Sequence, residues 1–456
     1  MKWKKWLSAA LCTVTILSVA SPVRVSAEEN KYWPDGPQVG SEAAIVMEAK
    51  TGAILYEKNV HEKLYPASIT KILTSLIAIE NNSLSETVTF SKDSVYKIEG
   101  THIARDVGEQ MTLEETLYAV LLGSANECAY ATAEHVGKSY DNFVTMMNKR
   151  AKEIGCVDSN FANPHGLPDP NHVTSAYDMA LISREAIQNE TFRLIVGTSR
   201  YTIPPTNKHT VETPLVNHHA MLNYYKTGKY LYDSCIGGKT GFTDAAMNTL
   251  VTYAEKDGMT LICVVLKAAN GVQYEDTISL FNYCFDNFQL LNISKDENAF
   301  MNEKITDQMN FQSSKSYVKM KEDAAVVIPK TATFKDTTSK MNYDRSKKNS
   351  VGSLDYYYGS HYVGGSEIQI IEKKVEPFPF SSAAKDQKGE KKNVIRIDFK
   401  LIAIVLLGLI GIVALLLLVL YIVRNFYLLR YEFYQRRKRN LRSYSRKNRM
   451  RRKRRR

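Results

Sequence analysis

Leu401 to Val423 is an apolar run without a single charged residue. About 23 residues at 1.5 Å each cover a hydrocarbon layer of roughly 30 Å, so a chain carrying such a run has to fold the rest of itself on either side of a membrane. A buried core helix is the rival reading, but the length, the missing charge and the flanks favour a transmembrane helix over residues 400–423. Beyond it, Arg424 to Arg456 holds 16 Lys/Arg against one Glu, and the positive-inside bias assigns such a tail to the cytoplasm. At the other end, Lys2, Lys4 and Lys5 precede the apolar stretch Trp6 to Ala20, and Val25-Ser26-Ala27 precedes Glu28. That is the layout of a secretory signal, residues 1–27. The expectation is a single-pass cell-membrane protein whose folded part lies outside the cytoplasm.

Once the ends are set apart, the formal charge of +12 over 456 residues misleads. The tail carries about +15 and the signal about +4, which leaves the part between them near −7. A nucleic-acid partner is thereby excluded for the ectodomain, and topology with attraction to anionic lipid accounts for the tail. Five cysteines follow the signal: Cys128, Cys156, Cys235, Cys263 and Cys284. The number is odd and no Cys-x-x-Cys occurs, so mostly buried free thiols are expected. The nine histidines show no metal-ligand spacing, and neither metal nor cofactor is expected.

Along the ectodomain, Ala43 to Glu48 and Ala53 to Lys58 read as a β-hairpin around Ala49-Lys50-Thr51-Gly52. Helical patterns follow: one beginning near Ser68, one opened by the capping box at Thr112 to Glu115, Glu127 to Val136, Tyr140 to Ile154 stopped by Gly155, and Ala176 to Ile187. Strands return at Lys239 to Phe242, Asn248 to Ala254 and Met259 to Ala268, and a helix over Tyr274 to Leu290 closes this part. Strands at both ends with helices between imply one sheet built from distant segments, with helices on its faces. The domain is placed at residues 28–291, a small β-rich module at 292–376, and a polar linker at 377–399.

Three short motifs carry chemistry. Pro66-Ala67-Ser68-Ile69-Thr70-Lys71 runs into the apolar segment Ile72 to Ile79, so that Ser68 and Lys71, three residues apart at a helix start, share a face. A serine hydroxyl is a weak nucleophile, and a lysine becomes a useful base only when burial or a neighbouring cation lowers its pKa. A buried helix start supplies the burial and aims free N–H groups at the place where an oxyanion would develop. Ser94 to Lys97, Ser316 to Lys319 and Ser382 to Lys385 repeat the spacing but sit among polar residues. Second, Ser124-Ala125-Asn126 ends an apolar helix and can offer a hydroxyl and an amide to a cleft; alone it reads as an ordinary loop. Third, Gly238-Lys239-Thr240-Gly241-Phe242-Thr243 places glycines around a Lys-Thr pair at a strand start, which admits a ligand close to the backbone and presents an ammonium and a hydroxyl to a carboxylate. The phosphate-loop pattern is not satisfied there.

The order Ser-x-x-Lys, Ser-x-Asn, Lys-Thr-Gly is that of penicillin-binding proteins and β-lactamases. More narrowly, the chain resembles the low-molecular-mass penicillin-binding proteins, serine-type D-alanyl-D-alanine carboxypeptidases, through Pro66 to Lys71, Asn163-Pro-His-Gly-Leu167, Thr174-Ser-Ala-Tyr-Asp-Met-Ala180 and Lys239 to Thr243. The likeness covers roughly Gln38 to Leu290. It implies an α/β domain with an antiparallel sheet, helices on its faces and a helical subdomain. It also implies Ser68 as acylated nucleophile, Lys71 as its base, Ser124 as proton shuttle and Asn126 as a hold on the substrate amide. Lys239 would lower the pKa of Lys71 and bind the terminal carboxylate with Thr240. The backbone of Ser68 and Phe242, next to Gly241, would form the oxyanion hole. The implied substrate is the peptidoglycan stem pentapeptide, which loses its terminal D-alanine, and β-lactam antibiotics would be covalent inhibitors.

Two departures stand out. Glu127 follows Ser124-Ala-Asn where the family commonly has Asp, and His218-His219 fall where it usually shows Asn-x-Asn. A serine β-lactamase is the enzymatic rival, disfavoured by Asn163 to Leu167. A catalytically inactive wall-binding scaffold is the rival from another class, disfavoured by the intact motif residues.

Overall fold

The computed structural model describes residues 33–225, 227–293, 318–320, 323–343, 350–370 and 430. The expected signal, linker and transmembrane helix lie outside these residues, as does the basic tail apart from Arg430. Among the described residues no helix is long and apolar enough to cross a membrane. All but Arg430 belong to one compact unit, Met1–Lys373.

The hairpin expected from the sequence forms as β1 (Ala43–Glu48) and β2 (Ile54–Lys58). Two small ribbons, β3 (Thr87–Thr89) with β4 (Gln110–Thr112) and β5 (Arg200–Ile203) with β6 (Thr213–Val216), lie in the middle of the chain. The late strands β7 (Cys235–Thr243), β8 (Met247–Lys256) and β9 (Met259–Ala268) join the hairpin in one sheet of order β2-β1-β9-β8-β7. Every neighbouring pair in it is antiparallel. Pairing of β1 with β9, Ala43 opposite Leu266, closes the domain on itself. The two ends of a segment more than two hundred residues long thus meet at the centre of the sheet, and β7 is left as an edge strand.

The sheet is buried on both faces, which explains why its strands read as near-continuous apolar runs. Strand alternation sends Ala43, Ile45, Met47, Val251, Tyr253, Ile262 and Val264 to one core and Ala44, Val46, Leu250, Leu261, Cys263 and Val265 to the other. The first core holds the helical middle of the chain: α1 (Lys71–Asn81), α2 (Lys92–Tyr96), α3 (Leu113–Leu121), α4 (Asn126–Gly137), α5 (Tyr140–Ile154), α6 (Ala176–Ile187) and α7 (Glu190–Gly197). The second is covered by α8 (Val272–Asn287), through Leu280, Phe281, Cys284 and Phe285.

Helix ends follow the local signals. Thr112 accepts from the Glu115 N–H while the Glu115 carboxylate accepts from the Thr112 N–H, the full capping box. Ser139 caps α5, which Gly155 ends at φ 102°, and Ser175 caps α6.

The closing helix differs from expectation. It stops at Asn287, and residues expected to continue it form a strand, β10 (Phe288–Asn292). β10 pairs with β12 (Ala325–Pro329) in a second sheet of order β10-β12-β15-β14-β13, with β13 (Thr338–Asn342), β14 (Ser350–Tyr358), β15 (His361–Ile370) and β11 (Val318–Met320) paired to β15. Pairing with β12 and burial of Phe288 override the helical pattern. Within the β-rich module expected at 292–376, Ala325 to Ile328 lies in β12 and Glu367 to Ile370 in β15. All five described cysteines are free, and only Cys156 is less than buried.

Candidate active site

The nucleophile candidate rides on a tight turn. Ala67–Thr70 is a single 3-10 turn that feeds α1, so the α-helix begins at Lys71 rather than at Ser68. With three residues per turn, side chains at i and i+3 eclipse, and Ser68 lies in line with Lys71 better than an α-helix would set it. Ala67 sits at φ 50°, a left-handed conformation that costs about 1–3 kcal/mol in a residue other than glycine. Its surroundings hold it there. The Thr249 hydroxyl of β8 donates to the Pro66 carbonyl (2.8 Å), and the Thr70 hydroxyl donates to the Ala67 carbonyl (2.9 Å).

Lys71 is fully buried, and its Nζ meets three oxygens: Ser68 Oγ at 2.9 Å, Asn126 Oδ1 at 2.7 Å and the His165 carbonyl at 2.6 Å. The last two can only accept. A neutral amine has two N–H donors and one lone pair, so once both donors go to Asn126 and His165 the lone pair is left for the Ser68 hydroxyl. Burial first, then the charge of Lys239, hold the Lys71 ammonium well below the usual lysine range, with Glu127 and Cys128 opposing.

Asn126 is itself fixed. Its Nδ2 donates to the Glu99 carbonyl (2.7 Å) and its backbone N–H to the Thr101 carbonyl (2.8 Å), while Glu127 accepts from the Ile103 N–H (2.6 Å). The loop before α3 is thus tied to the start of α4 at three points. Ser124, buried and at φ 56°, occupies the sharp turn just ahead of α4, two residues from Asn126. A strained non-glycine residue at a cleft is a feature that functional sites share.

The third motif lies on the edge strand β7. Lys239 is buried, burial pushes it down to about 7, and its Nζ donates to the Thr240 carbonyl at 3.0 Å. Gly241 is needed for contact: a β-carbon there would stand 2.4 Å from Thr249 Oγ1 and 2.8 Å from the Ser68 nitrogen. The backbone of β7 therefore runs against the Ser68 N–H. The Phe242 side chain is 61% exposed, so what it brings to the turn is its backbone.

Of the residues singled out in the sequence, Lys71 contacts both Ser68 and Asn126, and Lys239 and Gly241 close on them from β7. Ser124 and Thr240 stand beside them in the chain. The segment Asn163 to Leu167 matched a family pattern without showing a role of its own, and the structure supplies one. Pro164 and His165 carbonyls accept from Thr74 and Lys71. Gly166, at φ 87°, packs its backbone on Ala67. Burial and the nearby Lys71 charge keep the His165 imidazole neutral, well below the usual histidine range. The two histidines at 218 and 219 part company: His218 stacks on Tyr225, whereas His219 is buried with Nε2 3.0 Å from the Thr252 hydroxyl.

Two other features do not belong to this constellation. A groove of about 1070 Å³ lined by Trp33, Tyr56, Arg184, Tyr283, His361 and Tyr362 contains none of the three motifs. Asp106, Glu109 and His209 bring ligand atoms within 4.8 Å of one another, a grouping hidden in the sequence by some hundred intervening residues. Glu109 already accepts from Arg105 (2.8 Å), Thr206 (2.9 Å) and the Asp106 N–H (2.8 Å), so its carboxylate is taken up by a buried ion pair with Arg105, while Asp106 is exposed and His209 half-buried.

The family described as D-alanyl-D-alanine carboxypeptidase matches residues 29–270. The D-alanyl-D-alanine carboxypeptidase DacF of Bacillus subtilis is 31% identical over 293 residues, covering 63% of this chain and 72% of that protein. The D-alanyl-D-alanine carboxypeptidase DacA of Haemophilus influenzae is 28% identical over 376 residues, 77% of this chain and 89% of that protein. Among solved structures, penicillin binding protein 5 of Haemophilus influenzae shares the fold across 75% of this chain and 99% of its own, with a TM-score of 0.59 at 23% identity. The Streptomyces K15 DD-transpeptidase superposes with a TM-score of 0.51 at 26% identity, over 56% of this chain and 100% of its own.

Proposed function

The chain belongs to the D-alanyl-D-alanine carboxypeptidase family, and from that premise we propose that it removes the terminal D-alanine of peptidoglycan stem pentapeptides through an acyl-enzyme on Ser68. The observation that carries the proposal is the bonding of Lys71: two fixed acceptors take its donors and turn its lone pair to the Ser68 hydroxyl.

In this mechanism Lys71 takes the Ser68 proton as Oγ attacks the carbonyl of the penultimate D-alanine. The developing oxyanion is held by the N–H groups of Ser68 and Phe242, a role supported by the contact of the Gly241 backbone with Ser68. Ser124 passes the proton to the departing amine, the C–N bond breaks, and D-alanine leaves. Water then attacks the ester and frees Ser68. Asn126 holds the substrate amide, and Lys239 with Thr240 binds the terminal carboxylate. The open edge of β7 suits an extended peptide laid alongside it.

The proposal extends to the whole chain: signal at 1–27, peptidase domain from 28, β-rich module to 376, linker to 399, one membrane span at 400–423 and a cytoplasmic basic tail near anionic lipid. This arrangement keeps the active site outside the cell, where stem peptides are.

Intact-mass spectrometry of the purified protein tests the reading. Penicillin should leave a long-lived adduct on Ser68 and a peptide ending in D-Ala-D-Ala should release D-alanine, with both lost in Ser68→Ala. Release of D-alanine by Ser68→Ala, or rapid turnover of penicillin without peptide cleavage, would overturn it.

A further inference from the structure

We propose that His172 is a positioning residue for the nucleophile: its neutral imidazole carries the Ala162 backbone N–H to the Thr70 hydroxyl, and through that hydroxyl fixes the Ala67 carbonyl under Ser68. The inference rests on Ser68 being the acylated residue.

The direction of every bond follows from its neighbours. Ala162 N–H lies 3.0 Å from His172 Nδ1 and can only donate, so Nδ1 accepts. The proton of a neutral ring is then on Nε2, 2.8 Å from Thr70 Oγ1. The Thr70 hydroxyl, receiving that bond, gives its own proton to the Ala67 carbonyl at 2.9 Å. Such a chain polarises along its length and is stronger than its parts.

His172 is 1% exposed, with its ring edge-on to Phe161 at 5.6 Å, so imidazole and hydroxyl have no water to replace a lost partner. The bond ends where the backbone is strained, at Ala67 with φ 50°. The next N–H along, that of Ser68, is the one packed against β7. Loosening the Ala67 carbonyl therefore moves an oxyanion donor and the Ser68 side chain together, without touching the bonds of Lys71 to Asn126 and His165.

The test uses the full chain with Thr70→Val, Thr70→Ser, His172→Ala and the Thr70→Val/His172→Ala double variant, reading the rate of penicillin acylation at Ser68 and kcat and KM for D-alanine release. Thr70→Val and His172→Ala are expected to lower the acylation rate and kcat by about tenfold to a hundredfold, because small displacements of reacting groups cost that much. KM should hold. Thr70→Ser should restore the rate to within about threefold, and the double variant should be no slower than the slower single. If His172→Ala fails to fold, the near-isosteric Thr70→Val decides alone. A folded Thr70→Val protein acylating at the wild-type rate, or losses that multiply in the double variant, would overturn the relay. Failure of the wild type to form any adduct would instead overturn the carboxypeptidase reading.

Discussion

Gly166 lies so close to Ala67 that a β-carbon on it would stand 1.9 Å from the Ala67 carbonyl oxygen and 3.0 Å from the Ser68 nitrogen. The loop from Asn163 to Leu167 is thus the wall against which the nucleophile turn is formed. Asn163 braces it by accepting from the Gly166 N–H (2.7 Å) and donating to the Leu167 carbonyl (3.0 Å). Gly166→Ala adds both a clash and a side chain at φ 87°. It is expected to slow acylation by at least about a hundredfold while costing about 1–3 kcal/mol of stability. Adduct formation and thermal unfolding measured on one sample check this; wild-type acylation would show that the wall does not matter.

Asn126 supplies a neutral oxygen to Lys71. Asn126→Asp keeps the shape and adds a charge, which stabilises the ammonium and raises the Lys71 pKa. Acylation near neutral pH should fall by at least about tenfold and recover as pH rises, since the alkaline solution again frees the lone pair. Rates followed from pH 6 to 10 decide it, and a loss that stays constant across that range would point to lost contacts rather than a displaced proton.

Lys239, at about 7 in the free protein, leaves a different mark on pH dependence. Its charged form is the one that captures a carboxylate, so kcat/KM should decline above about pH 7. A bound carboxylate raises that pKa, and kcat should therefore hold to higher pH. Peptides ending in an amide should lose most of this difference. A kcat/KM profile that stays level from pH 6 to 9 would remove Lys239 from carboxylate binding.

The buried histidines govern acid stability. His172 and His219 are held down to about 4 chiefly by burial, below the ordinary value of 6.5. A depressed pKa means that the native state binds fewer protons than the unfolded chain, so their contribution is complete above about 6.5 and is lost as pH falls toward 4. Each can cost on the order of 3 kcal/mol over that window. Unfolding midpoints in urea should drop steadily between pH 7 and 4.5, and His172→Gln should flatten the slope. A midpoint unchanged across that range would contradict the burial of these rings as neutral groups.

What the sequence revealed of the site was mostly what is local. Ser68 and Lys71 are one turn apart, and Thr112 with Glu115 is a cap within a few residues, so spacing alone finds them. The contacts that complete the site are carried by backbone carbonyls. His165 serves Lys71 across 94 residues and Pro66 serves Thr249 across 183, and every residue type owns a carbonyl, so no letter of the sequence marks them. Gly166 stood inside a recognisable segment and His172 between two of them, unmarked, and their use depends on which loop packs behind Ala67. The helix end at Asn287 was hidden for a related reason: Phe288 to Asn292 suits either a helix or a strand, and only the partner strand decides. The pair His218-His219 looked like a single departure from the family and turned out to be two unrelated side chains, one stacked on Tyr225 and one buried against Thr252.

That helix end has a mechanical meaning. Asn287 closes α8 and Phe288 opens β10, with no residue between them. The second sheet is thus welded to the helix beneath the peptidase sheet. Tension entering at β15 passes through its pairing with β12, from β12 to β10, and then along one peptide bond into α8. That path has no loop in it, and Phe288 is buried with Phe281 and Phe285 of α8, so the second sheet is held to the peptidase domain by packing as well as by the chain, as a handle is riveted to a blade.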